Sequence, residues 1–108
     1  MHLVKRLEII VSSREMNKIL EKLDEAGVSG YSVIRDVVGK SGWGQVSDDS
    51  DFAATTLSNV YILSFCDVDQ TKAVVESVRP LLNKFGGVFY ISDAMAVKSL
   101  RCVAKLEE

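Results

Sequence analysis

Twice along its 108 residues this chain switches its apolar period from two to about 3.6 and back, and few small folds satisfy that pattern. Leu3 to Val11 alternates, with Leu3, Leu7, Ile9 and Val11 on one face and Lys5 intruding near its start. Ser12 stands three residues before Glu15, the spacing of a capping box. Met16, Ile19, Leu20 and Leu23 then recur at helical spacing and make one apolar stripe. Gly27 supplies the left-handed residue that usually closes such a helix, and a strand is expected from Tyr31 to Val38. The second round opens with a strand from Val60 to Phe65, rich in β-branched and aromatic residues. Asp67 or Asp69 can cap a helix carrying Val74, Val75, Val78, Leu81 and Leu82. Pro80 should weaken or kink that helix, since it removes a backbone donor and crowds the preceding turn. Gly86-Gly87 ends it, Val88 to Ser92 is the fourth strand, and Asp93 to Leu100 is expected to add a short extra strand.

Two βαβ units in so short a chain predict an α+β, ferredoxin-like βαββαβ domain. Its antiparallel sheet carries both helices on one face. The 47% hydrophobic content is enough for a core without disulfides or a structural metal, so one domain over residues 1–108 is expected, with a frayed tail at about 103–108. The uncovered sheet face would carry Val4, Ile10, Ile34, Tyr61 and Leu63. An apolar face of that kind predicts self-association.

Between the second and third strands lies a connection far longer than the usual 4 to 6 or so residues, at about 39–57. Gly39, Gly42 and Gly44 in it let backbone N–H groups approach an anion closely, and Lys40 adds a positive charge. The spacing is not that of a P-loop. Trp43 suits stacking on a base or anchoring in a partner. The acidic stretch Asp48, Asp49 and Asp51 fits a solvated tip, a divalent cation or a basic partner.

The order of elements, the phrase Gly27-Val28-Ser29-Gly30-Tyr31-Ser32-Val33, the long loop and the turn Phe85-Gly86-Gly87-Val88-Phe89 together resemble the PII signalling proteins over Leu3 to about Leu100. That resemblance implies a homotrimer binding adenine nucleotides in clefts between subunits, with the loop as a T-loop that touches a target protein. It implies nucleotide contacts from Ser32, Gly39, Lys40, Gly42, Phe65, Gly86, Gly87, Val88, Phe89 and Arg101. Partner contacts would come from Trp43, Gln45, Asp48, Asp49 and Asp51. Residues 39–57 hold no tyrosine, the residue that is modified in the classical nitrogen-sensing members. Val88 stands where those proteins have a lysine, and Ser99 where they have the first of two arginines. The chain is therefore more similar to the PII-like proteins of inorganic-carbon metabolism, either the SbtB type that regulates a bicarbonate transporter or the carboxysome-associated type. ADP or AMP is expected over ATP, with cyclic AMP, bicarbonate and a divalent cation as further candidate ligands.

Other classes are disfavoured by the residues themselves. A net charge of −2 argues against a nucleic-acid partner. No apolar run approaches the roughly 18 residues of a membrane span, and Met1 to Arg6 lacks a signal-peptide core, so a cytoplasmic protein is expected, at most membrane-associated through a transporter. Cys66 and Cys102 lack paired-cysteine spacing and read as free thiols. No nucleophile, base and orienting group occur in recognisable order, so no catalytic residue is assigned and a small enzyme ranks last. With a single histidine, no metal site is assigned either. A CutA-like trimeric metal-binding protein and a classical nitrogen-regulatory PII protein stay open as alternatives.

Overall fold

The structure, a computed structural model, describes residues 1–38 and 58–98. Four strands and two α-helices follow in the order β1 (His2–Ser12), α1 (Met16–Glu25), β2 (Tyr31–Val37), β3 (Asn59–Cys66), α2 (Thr71–Phe85) and β4 (Val88–Ala96). The sheet is antiparallel in the order β2-β3-β1-β4, so the two halves interleave: β3 lies between β1 and β2, and β4 takes the far edge. This is the expected ferredoxin-like arrangement.

Alternation decides which face is buried. Leu7, Ile9 and Val11 of β1 and Val60 and Ile62 of β3 meet Ile19 and Leu23 of α1 and Val74 and Val78 of α2, all at most 1% exposed. Each helix contributes its pair at i and i+4, the spacing that places two side chains on one stripe. Leu3 lies on the same face yet is 45% exposed, opposite exposed Met95, because the helices do not extend over that end of the sheet. On the other face, Val88, Ile10, Tyr61 and Ile34 form one row across all four strands, and Ile34 is 57% exposed.

Three local expectations are corrected. Ser12 caps a short 3-10 turn, Ser13–Glu15, by accepting from the Arg14 N–H at 3.2 Å; Glu15 does not return the bond and instead pairs with Lys18 at 3.4 Å. The reciprocal box occurs at Asp67 and Gln70, before α2. Asp93 does not begin a separate strand, because Lys5 of β1 holds its carboxylate at 2.6 Å and β4 continues to Ala96. α2 runs through Pro80 to Phe85 without interruption; Pro80 lies on the exposed side, where the carbonyl it leaves free can take water.

Candidate functional site

An open groove of about 260 Å³ lies where β2 begins, between Ser29–Ser32 and the Leu63–Phe65 end of β3. Two of the ten expected nucleotide contacts, Ser32 and Phe65, line it. Its floor is fixed by Ser64, which alternation places on the core side of β3 at 2% exposure. A hydroxyl buried there needs a partner, and it donates to the Gly30 carbonyl at 2.6 Å. Tyr31 adds an aromatic wall. Its phenol donates to Asp24 on the last turn of α1 at 3.4 Å, and partial desolvation, then the Asp24 charge, push its pKa up.

Gly30 is unusual among the glycines here. Its φ is not left-handed, and a Cβ added to it would meet nothing within 4 Å, so nothing in the subunit itself demands a glycine. Gly87 is the opposite case. It has φ 120°, and a Cβ would come within 2.7 Å of the Ile10 carbonyl and of Val11. The fold alone therefore requires glycine at 87, whatever ligand approaches it.

Within one subunit, the expected contacts do not converge. Val88 shares a cross-strand row with Ile10 and Tyr61, whereas Phe65 lies four residues further along β3, roughly 13 Å away at about 3.3 Å per residue. Gly86, Gly87, Val88 and Phe89 are thus at one end of the sheet, on its β4 side. Ser32 and Phe65 are toward the other end, on its β2 side. Phe89 packs partly buried against the core. The stem of the long loop lies at the glycine-turn end, closed by the pairing of Val37 with Asn59. Ser13 reinforces it, donating its N–H to the Ser58 carbonyl at 2.7 Å and accepting from the Ser58 hydroxyl at 3.3 Å. Gly39, Lys40, Gly42, Trp43, Gln45, Asp48, Asp49, Asp51 and Arg101 lie outside the described residues.

Sequence reasoning missed Ser29, Gly30, Tyr31, Leu63 and Ser64 as groove residues. One signal was available: a serine at a core position of an otherwise apolar β3 marks a backbone group that must be held. Among the described residues, no cluster of three or more His, Cys, Asp or Glu side chains is placed to hold a metal, and no helix is long and apolar enough to cross a membrane. Cys66 is a buried free thiol.

The fold matches solved structures closely. The CPII protein of Thiomonas intermedia K12, in its structure bound to ADP, AMP and acetate, superposes with a TM-score of 0.76 at 23% identity, over 90% of this chain and 91% of that one. The same protein bound to ADP and bicarbonate gives 0.75 at 22% identity, with the same coverage. A candidate PII-like signalling protein from Thermus thermophilus gives 0.68 at 14% identity, over 90% of this chain and 94% of that one. At these identities the likeness establishes the fold. No curated protein matches the chain in sequence. The family model described as nitrogen regulatory protein P-II matches residues 4–101, nearly the whole chain, and with the interleaved sheet already in view the conclusion is direct: the chain belongs to the P-II family.

Proposed function

We propose that this protein is a non-enzymatic PII-like signal transducer that binds adenine nucleotides between the subunits of a homotrimer and acts through residues 39–57 on a target protein. The observation that carries this reading is the separation of the half-sites. The groove with Ser32 and Phe65 and the glycine turn beside the loop stem occupy different ends of one sheet. A single ligand engages both only if a neighbouring subunit brings its groove to the first subunit's loop stem. The groove suits a planar base, with Tyr31 and Phe65 as aromatic surfaces and Ser32 as the polar contact. The glycine turn, with Gly39, Lys40, Gly42 and Arg101, would take the phosphates. CPII, which shares the fold, is bound to ADP and bicarbonate in one structure, and this supports a nucleotide and bicarbonate pair as the ligand class.

A cytoplasmic regulator of inorganic-carbon uptake or carboxysome function follows from that ligand pair and from the lack of tyrosine in residues 39–57. The target would be a bicarbonate transporter or a carboxysome protein, engaged by one state of the loop. Such switching requires the nucleotide to favour one loop state over another. Val88 and Ser99 stand where longer phosphate chains find cationic partners in classical members, which favours ADP or AMP over ATP.

Isothermal calorimetry with ATP, ADP, AMP and cyclic AMP, each with and without bicarbonate, tests the proposal. The expected result is tightest binding for ADP or AMP, with a stoichiometry of one per subunit. Absence of heat with all four nucleotides would overturn it.

A further inference from the structure

A chain of polar side chains crosses the middle of the open sheet face, which is otherwise largely apolar. Tyr61 of β3 donates to Glu8 Oε2 of β1 at 2.6 Å. The other oxygen of Glu8 lies 3.8 Å from Arg6 Nε, and Arg6 Nε donates to the Ser92 hydroxyl of β4 at 3.2 Å. Three strands are thereby tied together by side chains that the register places on the face away from the helices. Around this chain stand Ile10, Leu63 and Val88, with Ile34, Phe65 and Tyr90 at 57%, 43% and 60% exposure.

Polar groups in such a place are expensive to bury unless each already has its partner. Here each does, within one subunit. The face is also neutral in its own terms, because its one central cation and one central anion are paired. A face carrying a net charge would repel its own copy, so this arrangement suits a second copy of the same chain better than a strongly charged partner. Apolar contact alone is non-directional and tolerates slippage, whereas a buried polar chain is satisfied in one register and leaves groups unpaired in others.

We propose that Tyr61, Glu8, Arg6 and Ser92 form the register-setting element of the subunit interface, fixing how neighbouring copies meet across the open face and hence how a groove on one meets the loop stem of another. This inference rests on the homotrimer reading, and the experiment separates the two.

Sedimentation velocity and native mass spectrometry are run over a concentration series on the full-length wild type, Tyr61→Phe, Glu8→Gln, Ser92→Ala and the double variant Tyr61→Phe/Glu8→Gln. Far-UV circular dichroism serves as the fold check. Because Arg6 and Glu8 are 45% and 29% exposed in the subunit, the single variants should keep wild-type spectra. The wild type should give one closed species. Tyr61→Phe and Glu8→Gln should each weaken association by about tenfold or more, and the double variant should be far less than additive, since both break one coupled pair. Ser92→Ala should show a smaller loss in the same direction, and it remains a reporter if a more central variant fails to fold. Wild-type association in Tyr61→Phe and Glu8→Gln, or in Ser92→Ala where those two do not fold, would overturn the register role and leave the trimer standing. A wild type that stays monomeric throughout the series would overturn the trimer reading and this inference together.

Discussion

Gln70 Nε2 donates to the Gly27 carbonyl at 2.8 Å, joining the turn before α2 to the residue that closes α1. The same side chain accepts the Asp67 N–H at 2.8 Å through its other atom, so one amide serves both halves of the molecule. Gln70→Ala removes both bonds at a partly exposed site and is expected to lower stability by about 1–2 kcal/mol, read from urea unfolding at constant slope. Gln70→Glu keeps the acceptor but loses the donor, and should fall between the two.

Gly87→Ala places a methyl group against the Ile10 carbonyl in a backbone conformation that suits glycine. Destabilisation of about 2–4 kcal/mol is expected, visible as a lowered thermal midpoint without ligand. Loss of nucleotide binding in this variant would therefore report on the fold before it reports on the cleft.

Gly30→Ala separates those effects. Its Cβ meets no atom of the subunit, so stability should stay within about 0.5 kcal/mol of wild type or rise slightly. If the groove takes the base, the same methyl narrows it, and nucleotide affinity should drop by about tenfold or more by calorimetry. Unchanged affinity would remove the groove from the ligand site.

Asp36 has φ 59°, a left-handed residue at the irregularity between the Ile34 and Val37 pairings of β2 and β3. Asp36→Gly is expected within about 0.5 kcal/mol of wild type, because relief of strain offsets the greater freedom of the unfolded chain. Asp36→Val should lose about 1–2 kcal/mol, since a β-branched side chain tolerates this conformation poorly. Equal midpoints for the two variants would argue against a left-handed residue there.

Burial pushes the Cys66 thiol above its ordinary value of 9.0, and Asp67 adds to the effect, while a hydrogen bond from Thr71 and the Lys5 charge oppose it. With the folded pKa raised, the stabilisation is fully present below the unfolded value and is lost as pH rises toward the folded one. Unfolding free energy should therefore decline above about pH 9 in wild type, more steeply than in Cys66→Ala. In Cys102→Ser, where Cys66 is the remaining thiol, native iodoacetamide labelling at pH 8 should be at least about tenfold slower than in denaturant.

Much of the fold was legible because its signals are local. Alternation in β1 and β3 and the i, i+4 pairs Ile19/Leu23 and Val74/Val78 gave the elements and the buried face. Other features depended on partners distant in sequence. Asp93 reads as a strand terminator until Lys5 is known to lie beside it, and Ser12/Glu15 reads as a capping box until Lys18 competes for the carboxylate. The candidate site was only partly legible for the same reason. Ser32 and Phe65 were found, but register sets them apart from Gly87, and no spacing in the sequence encodes a distance along the sheet. Gly87 looked like a ligand-binding glycine and is a packing glycine; Gly30 looked like turn punctuation and is the one that faces open space.

The Val37–Asn59 pairing, braced by Ser13 and Ser58, has a consequence for how such a protein can change over time. Because the two ends of the connection are fastened to the body, whatever runs between them enters the stability of the domain only through closure entropy, which grows by about 0.6 kcal/mol per doubling of length. The body is then a socket. One cassette can be exchanged for another of different length and recognition chemistry while the sheet beneath it stays the same, so a scaffold of this kind can acquire new targets faster than it can acquire a new core.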